Sequence, residues 1–229
     1  MSDPAQLTEQ IAAFCTQIPK SVRIIAVTKQ VSIEAMRAAY QAGLRDFGEN
    51  RVQEAETKQA QLQDLSDITW HLIGHLQSNK VQRAIELFDW IQSVDSLKLA
   101  QRLDRLASES GYTPQLCLQV KILPDPNKFG WSVPELLADL PQLDRLEHLQ
   151  IRGLMVIPPL GLNPEQILNM FHQAQELLQK IQQQPWVRIR MDQLSMGMSD
   201  DYPLAIAAGA TMIRPGRVLF GERERNELA

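Results

Sequence analysis

Cysteine is scarce in this chain, with two in 229 residues. Cys15 and Cys117 lie about a hundred positions apart and no Cys-x-x-Cys spacing occurs. That excludes a zinc knuckle and a thioredoxin-type pair. Both cysteines sit in apolar stretches, so they are expected as reduced core residues. A basic excess is also missing: Lys plus Arg is 23, Asp plus Glu is 27, and the formal charge is −4. The chain therefore lacks the charge signature of a nucleic-acid or anionic-membrane binder. No apolar run reaches the roughly 18 residues a membrane-spanning helix needs. Met1-Ser2-Asp3-Pro4 has no basic leader before an apolar run, so a cytoplasmic protein is expected. With 44% hydrophobic and 22% charged residues, disordered, collagen-like and coiled-coil chains are excluded. The length suits one large domain or two small ones and supports a full core without staples.

What the sequence does have is alternation. Leu7, Ile11, Phe14, Cys15 and Ile18 recur at helical spacing, with Asp3 as cap, Pro4 in the first turn and Pro19 as stop. Short β-branched or apolar runs then alternate with helical patterns. Strands are predicted at 23–28, 44–49, 68–73, 90–94, 116–122, 151–157, 191–195 and 211–214. Helices are predicted at 32–43, 50–63, 78–88, 96–110, 133–140, after Asn163, and at 204–208, with a loop over 123–130. Eight strands at about 25 residues per unit predict an α/β fold, a single (β/α)8 TIM-type barrel with an extra N-terminal helix. The expected organisation is one domain over 1–229: the helix over 1–19, the barrel over about 22–220 and a tail over 221–229. An open doubly wound sheet is disfavoured, because Lys29-Gln30-Val31-Ser32 after the first strand carries no glycine.

In such a barrel the strand C-terminal ends face the site. The first strand ends in Ala26-Val27-Thr28-Lys29, which puts an amine at the mouth. A desolvated lysine has a lowered pKa and can form an imine with an aldehyde; a surface lysine snorkelling at a strand end is the competing reading. The second ends in Phe47-Gly48-Glu49-Asn50, where Asn50 either meets a ligand or caps the next helix. The third runs into His71-Leu72-Ile73-Gly74-His75-Leu76-Gln77-Ser78. The four-residue spacing of the histidines spans a strand and a glycine turn with no third ligand in view, so no metal site is expected. His75 and Ser78 are candidate polar groups of the pocket, and His71 is read as structural. The seventh strand ends in Ser195-Met196-Gly197-Met198-Ser199-Asp200 and the eighth in Arg214-Pro215-Gly216-Arg217. Two glycine turns with hydroxyls and arginines, after strands seven and eight, are where a barrel holds phosphate. A lysine on one side and an anion clamp on the other suit a phosphorylated aldehyde, either pyridoxal 5′-phosphate or a sugar phosphate.

Six segments carry a closer likeness: Ala26-Val27-Thr28-Lys29, Phe47-Gly48-Glu49-Asn50, the run from Trp70 to Lys80, Ile151-Arg152-Gly153-Leu154-Met155, the run from Leu194 to Asp200, and Ile213-Arg214-Pro215-Gly216. In order and over nearly the whole chain they resemble the pyridoxal phosphate homeostasis protein family. The resemblance implies a barrel similar to the alanine racemase N-terminal domain, fold type III. It implies a pyridoxal phosphate imine on Lys29, with phosphate held by Ser195, Ser199 and the Gly216 turn, and Gly197 between the two serines among the cofactor-binding residues. It also implies Asn50 near the cofactor ring and Arg214 near its pyridine nitrogen. Arg217 stands where the family usually has a small hydroxyl residue, and an arginine could serve the same anion.

Three functions follow. One is a pyridoxal phosphate-binding protein that buffers or delivers the cofactor in the cell, without turnover and with no catalytic residue, its partners being the cofactor and apo-enzymes that use it. The second is a racemase or decarboxylase using the same cofactor. The third is a Schiff-base sugar-phosphate aldolase. The first is favoured, because racemases of this fold add a second domain and a tyrosine base. Here the barrel is expected to end near Phe220, and only Tyr202 among three tyrosines is expected near the mouth. A monomer is expected.

Overall fold

The first helix forms where its cap predicts. Asp3 accepts from the Ala5 amide at 3.2 Å and Pro4 opens α1 (Pro4–Thr16), which buries Leu7, Ile11 and Phe14. The computed structural model describes residues 3–222; Met1, Ser2 and most of the expected tail, 223–229, lie outside them. The strands are β1 (Arg23–Val27), β2 (Asp46–Glu49), β3 (Thr69–Leu72), β4 (Trp90–Val94), β5 (Gln115–Lys121), β6 (Trp131–Ser132), β7 (Gln150–Met155), β8 (Gln193–Ser195) and β9 (Met212–Ile213). Between and after them run α2 (Ile33–Gln41), α3 (Val52–Gln61), α4 (Val81–Leu87), α5 (Leu97–Ser110), α6 (Val133–Leu143), α7 (Pro164–Gln182), α8 (Tyr202–Ala207) and α9 (Arg217–Phe220).

All pairings are parallel. The order β4-β3-β2-β1-β9-β8-β7-β5, closed by the β4–β5 pairing, makes the eight-stranded barrel expected from the alternation. The additional β6 hangs on β5 through Val120 opposite Trp131. It follows the stretch expected as a loop, and two residues are too few to register in any periodicity. The helix caps agree with the sequence signals. Ser32 and Ser96 cap α2 and α5, and Asn163 with Gln166 forms a capping box on α7.

Strands of a closed parallel barrel are buried on both faces. Outward, residues such as Phe47, Leu72, Ile91, Leu116 and Leu154 join Met36, Leu103, Leu136 and Phe171 of the helices in one large cluster. Inward, Ile25, Trp90, Cys117, Met155 and Met212 form a separate, smaller cluster. Burial pushes the Cys117 thiol up to about 12, which makes it an inert core residue rather than a nucleophile. The same interior also carries polar side chains, with His71, Gln92, Ser195 and Arg214 all buried and His71 stacked on Trp90.

Candidate functional site

A cavity of about 370 Å³ opens at the C-terminal ends of the strands, lined by Val27, Lys29, Asn50, Ile73, Ile157, Met198, Ser199, Asp200, Arg214, Gly216 and Arg217. Three apolar side chains from strand ends supply walls, and the loops after β1, β2, β8 and β9 supply the polar groups.

On one side, Lys29 is flanked by two restrained neighbours. The Thr28 amide donates to the Gly48 carbonyl at 2.9 Å, and its hydroxyl donates to Glu49 Oε1 at 2.6 Å. The Thr28 carbonyl accepts from Lys58 Nζ at 2.6 Å. Gln30 is the one non-glycine residue with a positive φ (59°) among the described residues. Its amide is held by Glu54 Oε1 at 2.5 Å, which offsets the strain of the left-handed backbone. Lys58, itself buried, joins the pieces, reaching Glu49 at 2.8 Å and Glu54 at 2.7 Å. Burial pushes the Glu49 carboxyl above the usual carboxylate range, against the pull of Lys58 and Thr28. Glu54 is also penalised by burial, yet the bonds from Lys58 and Gln30 bring it below that range.

On the other side the two glycine loops are stitched together. The Arg214 amide donates to the Gly197 carbonyl at 2.7 Å. Ser199 Oγ accepts from the amides of Gly216 at 3.0 Å and Val218 at 3.3 Å. Gly197 has φ +92°, and a Cβ there would come within 2.6 Å of Ala205 Cβ, so this turn requires glycine. Asp201 folds the loop by accepting from the Met198 amide at 2.6 Å. Burial raises the Asp201 carboxyl, opposed by that amide and by Arg214. Arg214 is buried and pushed down to about 10 by desolvation, so it stays a cation at neutral pH.

Six of the residues singled out from sequence therefore meet in one cavity: Lys29, Asn50, Ser199, Arg214, Gly216 and Arg217. Asn50 does not cap α3, whose N-cap is Arg51. Instead its backbone packs under Gly74, where a Cβ would lie 2.3 Å from the Asn50 carbonyl oxygen. The Arg217 guanidinium is paired with Asp200 and Glu222, so its charge is already balanced at the rim. Ser195 is fully buried, donates to Gln92 and accepts from Arg214; it lies behind the cavity wall rather than on it. His75 and Ser78 are not on this lining. They border a neighbouring cavity with Asp95, Lys121, Lys128 and Phe129, His75 stacking on Phe129 and bonding to Asp95 at 3.0 Å. The glycine turn before them carries the chain past Asn50 to the loops after β4 and β5 on the same face of the barrel. His71 bonds to Asp46 inside the barrel, far from sharing any ligand with His75.

Tyr202, the tyrosine expected near the mouth, does begin beside the Gly197 turn, its amide donating to the Met198 carbonyl at 2.8 Å. Its ring packs edge-on against Phe14 of α1, centroids 5.3 Å apart, and is off the cavity lining. Tyr40 donates to Asp67 at 2.5 Å and Tyr112 is exposed. No tyrosine is on the cavity lining among the described residues. Residue-by-residue reading missed Lys58, Glu54 and Gln92. Lys58 lies on a polar helix that reads as solvent-facing, and only its spacing of four from Glu54 hinted at a pair.

Residues 2–224 match the family described as alanine racemase, N-terminal domain. A pyridoxal phosphate homeostasis protein of Synechocystis sp. is 51% identical over 97% of this chain and 100% of its own length. Two structures of PipY from Synechococcus elongatus superpose closely. The one without pyridoxal phosphate has TM-score 0.91 and 57% identity, and the one with it bound has TM-score 0.90 and 56% identity. Each match covers 94% of this chain and 100% of the other.

Proposed function

This chain belongs to the pyridoxal phosphate homeostasis protein family, built on the alanine racemase N-terminal domain, and we propose that it binds pyridoxal 5′-phosphate in the mouth cavity to buffer or deliver it rather than to turn over amino acids. One observation carries the reading: Lys29 shares its cavity with a serine oxygen on which two backbone N–H groups converge, beside a buried arginine. The cofactor supplies an aldehyde for an amine and, in enzymes, an electron sink. The residues present fit that group. Lys29 is the attachment point. Ser199 and the Gly216 and Val218 amides suit the phosphate, where charge-assisted bonds are strong. Arg214 suits the ring nitrogen, Asn50 the ring edge, and Val27, Ile73 and Ile157 the ring faces.

The lining also supports binding over catalysis. Racemisation needs two positioned acid–base groups on opposite faces. Besides Lys29, the titratable groups on the lining are Asp200, already paired with Arg217, and the two arginines. Cofactor-dependent apo-enzymes are the acceptors this reading names. In the test, the protein is loaded with the cofactor, reduced with borohydride and mapped by mass spectrometry. The label should fall on Lys29, and Lys29→Ala should lose the visible absorbance band. Loaded protein should restore an empty cofactor-dependent enzyme, and chiral chromatography should show no inversion of alanine above the free-cofactor control. Saturable inversion lost in Lys29→Ala would establish the racemase instead.

A further inference from the structure

Behind the cavity wall one line of side chains crosses the barrel interior, with one residue from each of several strands. Arg214 donates from Nη1 to Ser195 Oγ at 2.6 Å and from Nη2 to the Val156 carbonyl at 2.9 Å. Ser195 Oγ lies 2.6 Å from Gln92 Oε1, Gln92 Nε2 lies 3.0 Å from His71 Nδ1, and His71 Nε2 lies 2.8 Å from Asp46 Oδ1. Arg23 ends the line at 3.4 Å from the same Asp46 oxygen. Ser195, Gln92 and His71 are all buried.

The two ends dictate the direction of every bond. A guanidinium only donates, so Ser195 accepts from Arg214 and its own proton goes to Gln92 Oε1. A carboxylate only accepts, so His71 donates from Nε2 and its Nδ1 must accept from the Gln92 amide. Both assignments meet at Gln92 without conflict. Turning the Gln92 amide over would place its oxygen on Nδ1 and demand a second proton on a ring shut away from water. With the assigned direction each dipole points from the Arg214 cation toward the Asp46 anion, so each bond polarises the next.

We propose that Gln92, His71 and Asp46 are positioning residues for Arg214, holding His71 as the Nε2–H tautomer and, through Ser195, setting the guanidinium in the cavity wall. Ser195 is thereby a support for Arg214. The groups that face His71 are of both signs. They are Asp46 on β2, Arg23 on β1, Gln92 and Trp90 on β4, with Trp90 stacked at 5.8 Å, and Asp89 just before β4. Burial, and secondarily Arg23, lower the affinity of His71 for a second proton, with Asp46 and Asp89 pulling the other way. The tautomer concerns the protein alone; its effect on ligand retention rests on the function proposed above.

The experiment uses full-length, nitrogen-15-labelled protein without added cofactor and long-range proton–nitrogen correlation of the imidazoles. His71 should show the Nε2–H pattern, unchanged from about pH 5.5 to about pH 8.5, a span that brackets ordinary imidazole titration. Gln92→Glu keeps the shape but puts a carboxylate against Nδ1. His71 should then carry protons on both ring nitrogens at neutral pH, a change that simple packing would not produce. Gln92→Leu should weaken pyridoxal phosphate retention about tenfold. An Nδ1–H tautomer or ordinary titration of His71 in the unaltered protein overturns the line. Unchanged retention in folded Gln92→Leu overturns the positioning role. If the unaltered protein takes up no cofactor yet shows the Nε2–H pattern, the functional reading fails and the line of bonds stands.

Discussion

The two sides of the cavity are held by different means. Around Lys29 the backbone is clamped by full charges: one buried lysine, Lys58, bonds two carboxylates and the Thr28 carbonyl. Around Ser199 and Gly216 the inner contacts are backbone amides on a serine oxygen beside one buried cation, Arg214, while the carboxylates Asp201 and Asp200 hold the Met198 amide and Arg217. The carboxylates of the first side are turned onto Lys58 and the loop backbone. The amide donors of the second side converge on Ser199 Oγ. On the function proposed above, a phosphorylated aldehyde would meet the Lys29 amine on one side and the Ser199 and Gly216 loops on the other. Asp200 is the carboxylate on the lining, and Arg217 balances it. Rigid placement of the amine and a welcoming charge for the phosphate are separate requirements, and the barrel meets them with separate networks.

Three changes would break or sharpen that contrast. The largest effect is expected from Lys58→Met, which removes the cation and leaves Glu49 buried without a counter-charge. Loss of one partner of a buried pair costs about 3–5 kcal/mol, read as a shift in the urea unfolding midpoint. An effect below about 1 kcal/mol, the range of exposed pairs, would mean that the Lys29 side is not held by charge. Next is Ser199→Ala, which strips the acceptor from two amides. Cofactor retention should fall about tenfold, measured by dialysis of the loaded protein, with unfolding changed far less than in Lys58→Met. Equal losses of stability in the two variants would erase the distinction between the sides.

The smallest effect is a pH slope. Glu49 is raised above its unfolded value, so the folded state holds its proton to higher pH than the unfolded chain does. Its contribution to stability is present at low pH and is lost as pH rises from the ordinary carboxylate range through the folded value. Glu54, which is lowered, contributes with the opposite sign, and its contribution is lost as pH falls. Glu49→Gln removes only the first. The stability of the unaltered protein relative to that variant should decline with rising pH, by at most about 1.4 kcal/mol per unit for one proton. A rising difference would reverse the assignment of the two carboxylates.

Much of this was legible before any coordinates. Asp3, Ser32, Ser96 and Asn163 announce their helices because a cap is a local event, settled within four residues. The strand ends carrying Lys29, Asn50, Ser199 and Arg214 could be placed at one mouth because a parallel barrel puts every strand C-terminus on one face. His75, Ser78 and the Tyr202 ring lie off this lining for a shared reason: position along a loop does not say which wall the side chain joins. Gly74 lets the chain pass close over Asn50 and carries His75 to Phe129. Tyr202 turns to Phe14, a residue nearly the whole chain away.

The alternation of strands and helices, the barrel, the lysine after the first strand and the glycine turns after the last two are properties of the sequence by itself. They depend on patterns only a few residues long and on the one face that parallel strand ends share. What only the tertiary structure decided is which polar groups complete one another. Ser195 meets Gln92 across 103 residues, and Lys58 meets the Thr28 carbonyl across 30. A buried hydroxyl or ammonium must find a partner wherever the fold brings one within about 3 Å, and that distance is set by barrel closure, to which no local pattern refers.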